Sequence, residues 1–407
     1  MILDDTGLKA LLGQPAFVRF WLSRLFGILA NQMLMVAVAW HMYEITRSAW
    51  SLGLVGLFQF VPALLMTLPA GHWVDRWHKA RIFASCMGLQ AAVALLLITA
   101  TLYDFANAPL IYGVAIVLGA VRAFQMPAQQ ALTPQLVPAA LLPRAIAMSS
   151  SGVQAAIIGG PALGGLLYTH NVITVYAVST GLLLLAMGLA LVVRYRHKPS
   201  TGAADLRSVL AGARFVWQHK ALLGAITLDL VAVLLGGATA LLPIFARDLL
   251  HTGPQGLGLL RAAPAVGALL MSVALTRWPL QRRVGHSMLA AVAVFGVANV
   301  VFGLSDDLIV SLLALAVTGA ADSISVVTRL TLMQLETPED MRGRVSAVNS
   351  IFIGASNQLG EFESGATAAL WGPVGSVVVG GVATVAVAAA WLRWFPALAQ
   401  RDHMVAR

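Results

Sequence analysis

Three carboxylate side chains interrupt long apolar stretches in the second half of the sequence, at Asp229, Asp322 and Glu361. An ionisable group inside a bilayer costs at least about 2.5–3.5 kcal/mol, so the groups that occur there are candidates for function. A carboxyl group in apolar surroundings can bind and release a proton near neutral pH, as proton exchange between two compartments requires. We therefore interpret these three residues as proton-coupling candidates.

Arg122 lies in an apolar stretch of the first half of the sequence. A guanidinium does not deprotonate at working pH, so Arg122 could hold an anionic substrate group or a counter-charge; the alternative is a structural ion pair with Asp322. Arg329 is expected to pair with Glu336 or Asp340. Uncharged polar side chains in apolar stretches could line a substrate cavity or hydrogen-bond between helices. The candidates are Asn31, Gln32, Gln154 and Asn357.

The composition places these residues in a membrane protein. Of the 407 residues, 59% are hydrophobic and only 11% are charged, whereas soluble domains carry about 25% charged residues. The net charge of +9 is not gathered on a soluble basic domain, so a nucleic-acid partner is not expected. Cys86 is the single cysteine, which excludes a disulfide framework and a thiolate metal site.

Hydropathy predicts an all-α polytopic membrane protein with 12 transmembrane helices, each long enough to cross a bilayer. The apolar segments fall near residues 17–43, 50–72, 82–103, 108–128, 144–168, 171–193, 218–246, 256–277, 287–304, 308–334, 344–370 and 372–395.

The positions of the basic residues predict the orientation. Most of the 26 Lys and Arg residues lie at the termini or in loops that follow even-numbered spans, while Arg47, Arg247 and Arg261 lie toward the opposite face. By the positive-inside rule, both termini and the central loop are predicted to be cytoplasmic.

The longest polar stretch lies between the sixth and seventh spans and marks a domain boundary. The predicted domains are an N-terminal six-helix bundle over 1–193, a cytoplasmic linker over 194–217 and a C-terminal six-helix bundle over 218–407.

The two halves also repeat each other, as Pro138 and Pro338 illustrate at an offset of 200 residues. A six-span unit has the same topology in both copies, which predicts two bundles related by an axis along the membrane normal around a central cavity. Arg122 and Asp322 occupy equivalent repeat positions, so we expect them to face one another.

A glycine, an acid and three bases stand at fixed spacing between the second and third spans. They are Gly71, Asp75, Arg76, Lys79 and Arg81. This pattern resembles the corresponding loop of the major facilitator superfamily. The resemblance implies that Asp75 acts as a conformational latch against the start of span 11, where Arg342 and Arg344 stand; the alternative is a solvated loop that only obeys the positive-inside rule.

A second element in span 5 resembles the glycine–proline motif of drug and metabolite antiporters of this superfamily. It comprises Gly160, Pro161, Gly164 and Gly165. Small residues there let helices approach closely, which ordinary packing would explain as well. Segments 127–138, 342–349 and 357–365 are similar to the enterobactin-exporter-like branch, which also holds macrolide-efflux proteins.

These features predict a secondary active transporter of the bacterial inner membrane that exports an amphipathic small molecule, a siderophore or a drug, by proton-coupled alternating access. The alternatives are an importer and a lipid or lysophospholipid flippase on the same fold. The sequence has no phosphate-binding loop, metal cluster or nucleophile motif, so the proton gradient is the expected energy source and no cofactor or enzymatic activity is predicted. Oligomeric state is left open.

Overall fold

The computed structural model describes residues 5–195, 206–280 and 282–401, apart from a few side chains that include that of Asp75. Throughout these residues the regular elements are helices, and eleven of them are long and apolar enough to cross a membrane. The predicted all-helical, multi-span fold is therefore confirmed.

In the described residues, the first part of the chain forms seven α-helices. They are α1 (Asp5–Leu12), α2 (Pro15–Thr46), α3 (Ala49–Arg76), α4 (Lys79–Leu102), α5 (Ala108–Leu132), α6 (Leu142–Tyr168) and α7 (Val172–Leu191). Side-chain oxygens of Asn107 and Asn171 accept hydrogen bonds from backbone N–H groups in the first turns of α5 and α7. These caps satisfy donors that have no partner inside the helix, which fixes where the two helices begin.

The second part of the chain is also helical in the residues that the structure describes. Its helices are α8 (Leu206–Gln218), α9 (Lys220–Gly236), α10 (Leu242–Ile244), α11 (Gly253–Arg277), α12 (Val284–Leu304), α13 (Leu308–Glu336), α14 (Glu339–Trp394) and α15 (Pro396–Ala399). A π-helical turn, Phe245–Leu249, follows α10. Residues 206–217 of the predicted linker lie in helix α8.

α14 accounts for the last two predicted spans. Its membrane segment Met341–Trp394 has 54 residues, which at 1.5 Å per residue gives about 80 Å against a hydrocarbon core of about 30 Å. The helical geometry breaks once, at Gly372, where φ is 75° and ψ is 165°. That combination is essentially restricted to glycine, and Pro373 follows it. Two membrane-length helices thus meet at Gly372.

The chain divides into two compact units. The first comprises residues 1–45 and 61–204, and the second comprises 46–60 and 205–407. The start of α3 therefore belongs, by its contacts, to the second unit, where the Trp50 ring lies 5.5 Å from that of Phe362.

α2 lies at the centre of the first unit. The hydroxyl of Ser23 donates to the backbone carbonyl of Ala186 in α7, and the Phe20 ring packs edge-on against Phe83 of α4, with ring centroids 5.6 Å apart. All four residues are buried or nearly so. A hydroxyl that donates to a helix carbonyl leaves no unpaired donor inside the bilayer, where water cannot replace the bond.

α6 approaches α2 closely at two glycines. A Cβ atom on Gly160 would lie 2.5 Å from Cβ of Gln32, and one on Gly164 would lie 3.0 Å from Cα of Met33. Such close approach of two helices needs small residues at the contact. The buried face of α6 includes Gly160, Pro161, Gly164 and Gly165.

We expect Gly160→Leu to lower the thermal stability of the detergent-purified protein, because the new side chain must displace α2; overpacking of this kind costs about 1–3 kcal/mol. Gly181→Leu on α7 is the matched control, since nothing lies within 4 Å of a Cβ atom placed there. Thermal unfolding followed by size-exclusion chromatography measures the effect, and equal melting temperatures for the two variants would contradict close packing of α6 on α2.

Candidate functional site

The seventh span, predicted as one helix over 218–246, is interrupted in its middle. α9 ends at Gly236, Gly237 has φ −77° and ψ 87°, and the turn Thr239–Leu241 follows. Two consecutive glycines explain the break, because each is about 1 kcal/mol less favourable in a helix than alanine. The hydroxyl of Ser364 in α14 donates to the carbonyl of Gly237 and so satisfies one backbone group that the break exposes.

The break opens onto a cavity of about 390 Å³ within the second unit. Its walls come from α9, α11, α12, α13 and α14, and most of the lining is apolar. The polar lining residues include Asp229, Asn299, Asp322, Arg329, Asn357 and Glu361. A mainly apolar cavity with a few convergent polar groups is typical of small-molecule sites, and discontinuous helices often border such sites in transporters.

A buried ion pair forms the floor of this cavity. Nη1 of Arg329 in α13 lies 2.7 Å from Oδ2 of Asp229 in α9. The hydroxyl of Ser325 donates to the other carboxylate oxygen at 3.0 Å. Asp229 is 4% exposed and Arg329 is 2% exposed, so water does not screen the pair. The expected pairing of Arg329 with Glu336 is wrong, because Arg329 binds Asp229 and Glu336 binds Arg401 at 2.8 Å. The Asp340 side chain lies outside the described residues.

Asp322 lies on the same face of α13 as Ser325 and Arg329, because spacings of three and seven residues return to one side of a helix. Its carboxyl group is only partly buried and borders the cavity. Among the described residues it makes no hydrogen bond or ion pair, although it lies within electrostatic reach of both Asp229 and Arg329. Asp322 thus borders the cavity beside the Asp229–Arg329 ion pair without joining it.

Glu361 lines the same cavity. It has a basic neighbour, Arg261, that was not identified from the sequence. Its carboxylate interacts electrostatically with Arg261, which lies about two turns after the start of α11. Oε2 of Glu361 would lie 3.0 Å from a Cβ atom on Gly56, so this glycine admits the carboxylate against α3. Counting Arg261 as part of the predicted span 256–277 would have identified it as an intramembrane cation.

The uncharged polar candidates are divided between the units. Asn31 and Gln32 on α2 and Gln154 on α6 are partly buried in the first unit. Asn357 is exposed to the cavity of the second unit, and its Nδ2 donates to the carbonyl of Ile353 at 2.9 Å. That bond uses the amide nitrogen of Asn357 and leaves the amide oxygen as an acceptor.

Arg122, on α5 of the first unit, has an exposed side chain and no described ion pair. Its pairing with Asp322 of the second unit stays a prediction.

The charged loop between the second and third spans is short, because α3 continues to Arg76 and α4 begins at Lys79. Lys79 is only 2% exposed, and its backbone N–H donates to the Tyr195 hydroxyl at 2.9 Å. Partial burial raises the pKa of that hydroxyl, so it stays protonated. The other described members of the motif, Gly71, Arg76 and Arg81, are partly or fully exposed.

The basic residues at the start of α14 make local contacts. Nη1 of Arg342 lies 3.7 Å from Oε1 of Glu339, and Nη1 of Arg344 donates to the sulfur of Met341 at 3.3 Å. The Asp75 side chain lies outside the described residues. The latch between it and α14 therefore stays a prediction.

Comparisons with known proteins converge on transport. The profile of the family described as transmembrane secretion effector matches residues 6–405. An enterobactin exporter, EntS, of Citrobacter koseri is 27% identical over 384 residues, which cover 93% of this chain and 92% of that protein.

Two solved structures share the fold at low sequence identity. A bacterial homologue of the human lysosomal transporter Spinster, inward-facing and occupied, superposes with a TM-score of 0.75 at 14% identity, covering 94% of this chain and 96% of that one. A bacterial homologue of the iron transporter ferroportin gives a TM-score of 0.69 at 15% identity, covering 95% and 99%.

Removing either partner of the Asp229–Arg329 pair leaves an uncompensated buried charge, which costs about 3–5 kcal/mol. We expect Arg329→Gln and Asp229→Asn each to lower the melting temperature, and the double variant to lose clearly less than the sum of the two, because the partners interact directly. Asp306→Asn in an exposed loop is the control. Strict additivity in this double-mutant cycle would mean that the pair does not stabilise the unit.

Proposed function

Because this chain belongs to the transmembrane secretion effector family of the major facilitator superfamily, and is an efflux transporter of the bacterial inner membrane and not an enzyme, we propose that it exports an amphipathic small molecule in exchange for protons. Its substrate would belong to the siderophore or drug class. The relatedness to enterobactin exporters supports the direction and the siderophore class.

The observation that supports the proton coupling is the carboxyl group of Asp322, which has no ion-pair partner among the described residues and lies beside the Asp229–Arg329 ion pair. Asp229, Asp322 and Arg329 together carry a net charge of −1 when both acids are ionised, and protonation of Asp322 makes the group neutral. The protonated state has the lower cost of burial in an apolar bundle. A proton taken up at Asp322 from one side of the membrane would thus favour closure of the cavity, and its release on the other side would reopen it.

The other two acids take different roles in this proposal. Asp229 is held by Arg329 and Ser325, so it keeps its charge and positions the guanidinium beside Asp322. Glu361 has Arg261 as a counter-charge and borders the cavity, where it would contact substrate. The apolar lining around them, from residues such as Val233, Leu315 and Ile353, would accept the hydrophobic part of an amphipathic molecule.

We expect Asp322→Asn to abolish pH-gradient-driven transport while substrate binding stays measurable, because the amide keeps the shape of the side chain but cannot carry a proton. Proteoliposomes with an imposed pH gradient measure transport, and tryptophan fluorescence measures binding. Asp306→Asn, outside the site, should transport like wild type. A neutral Asp322 variant that still responds to the pH gradient like wild type would overturn the coupling assignment.

The direction and substrate class are tested in everted vesicles with enterobactin and a macrolide panel. We expect ATP-independent accumulation inside the vesicles that an uncoupler collapses, since everted vesicles reverse the orientation of an exporter. Accumulation only in right-side-out vesicles would indicate an importer. Transport of a labelled lysophospholipid, without transport of enterobactin or of the macrolides, would instead favour the flippase alternative.

A further inference from the structure

A second, larger cavity lies in the first unit, away from the polar residues of α2 and α6. It is a groove of about 950 Å³ between the end of α3 and the facing sides of α4 and α5. Its lining is mostly apolar and includes Ile82, Leu89 and Val117. Leu89 is 48% exposed and the neighbouring Ile116 is 42% exposed, so the groove is open along its length.

The walls of this groove are fixed by direct contacts between α4 and α5. Nε2 of Gln90 donates to Oε1 of Gln125 at 2.7 Å. The Cys86 thiol lies 3.8 Å from the carbonyl of Val121 and donates to it. Because these bonds join the two helices that form the groove, the fold sets its width, and the groove is not a gap between loosely associated helices.

One end of the groove is aromatic and basic. The rings of Trp73 and Trp77 stack with centroids 5.9 Å apart at 11°, and Trp73 meets Phe124 edge-on at 6.2 Å. Both tryptophans are more than half exposed, and the exposed Arg81 side chain lines the groove beside them. Tryptophan and arginine at the end of a membrane helix mark the depth of the lipid headgroups.

The groove extends from that end into the bilayer. Arg81 and Leu89 are eight residues apart on α4, which places Leu89 about 12 Å deeper along the helix axis. This depth is nearly half of a hydrocarbon core of about 30 Å. The shape is therefore that of a slot with a cationic mouth at the interface and an apolar interior, which matches one lipid with its phosphate at the mouth.

We propose that this groove is a binding site for an anionic phospholipid, with the phosphate held by the Arg81 guanidinium and an acyl chain lying between α4 and α5. The occupant follows from the setting, because lipid is what covers exposed apolar surface of a membrane protein at this depth. Charge complementarity selects the anionic class, since a basic side chain near the membrane surface contributes about 1 kcal/mol toward anionic lipid. Such a lipid would join α3, α4 and α5 at the end of the unit that holds the charged motif.

The test uses the detergent-purified full chain, with 1-palmitoyl-2-oleoyl phosphatidylglycerol and the matching phosphatidylethanolamine as probes. Native mass spectrometry counts bound lipid and gives apparent affinities. We expect one tightly bound phosphatidylglycerol, and about fivefold weaker binding in Arg81→Gln. Arg81→Lys should keep most of the affinity because it keeps the charge. Arg282→Gln, which removes an exposed arginine from the second unit, is the control and should bind like wild type.

A second variant tests the position of the acyl chain. Ala120→Leu adds three carbons to the groove wall and should weaken binding of both lipids equally, while leaving the preference for phosphatidylglycerol that Arg81 provides. Equal affinity of wild type for the two lipids, or no change in Arg81→Gln, would overturn the headgroup assignment. Unchanged lipid binding by a correctly folded Ala120→Leu protein would place the lipid elsewhere. Displacement of the lipid by enterobactin at comparable concentration would assign the groove to transported substrate instead.

Discussion

The Asp229–Arg329 ion pair is the constraint around which the second unit is arranged. Two charges with almost no contact with water are tolerated inside a membrane protein when they neutralise each other. The Ser325 hydroxyl adds a hydrogen bond to the carboxylate, at 3.0 Å. The pair fixes α9 against α13, so the helix that breaks at Gly237 stays anchored two turns before the break.

The position of the pair explains how three acids in one unit can differ in chemistry. Asp229 is bound by Arg329 and Ser325, and Glu361 has the arginine of another helix as a neighbour, whereas Asp322 makes no ion pair or hydrogen bond among the described residues and has Arg329 of its own helix within electrostatic reach. All three line one cavity, yet their contacts with the neighbouring helices differ. The asymmetry between the acids therefore comes from helix contacts and not from their types, which are nearly the same.

The sequence was sufficient for the fold, because long apolar segments separated by charged loops leave few alternatives to a helical membrane protein. It also identified the carboxylates, since any ionisable residue in such a segment is conspicuous. It could not assign their partners: Arg329 is nearer in sequence to Glu336 and Asp340 than to Asp229, and only packing of α9 on α13 reveals the pair. The break at Gly236 and Gly237 was likewise hidden, because a glycine pair within an apolar run keeps the hydropathy high. Arg261 was overlooked because its charge was counted with the loops.

The junction at Gly372 affects how the last two membrane helices can move relative to each other. The two membrane helices that meet there are joined through one residue of special conformation, with no intervening loop to absorb movement. A tilt of the helix that carries Glu361 would therefore act on a single backbone hinge. The final membrane helix, on the other side of that hinge, contacts Leu235 of α9 through Gly380 and Gly296 of α12 through Gly381, so a displacement beginning at the cavity would return to two of the helices that wall it.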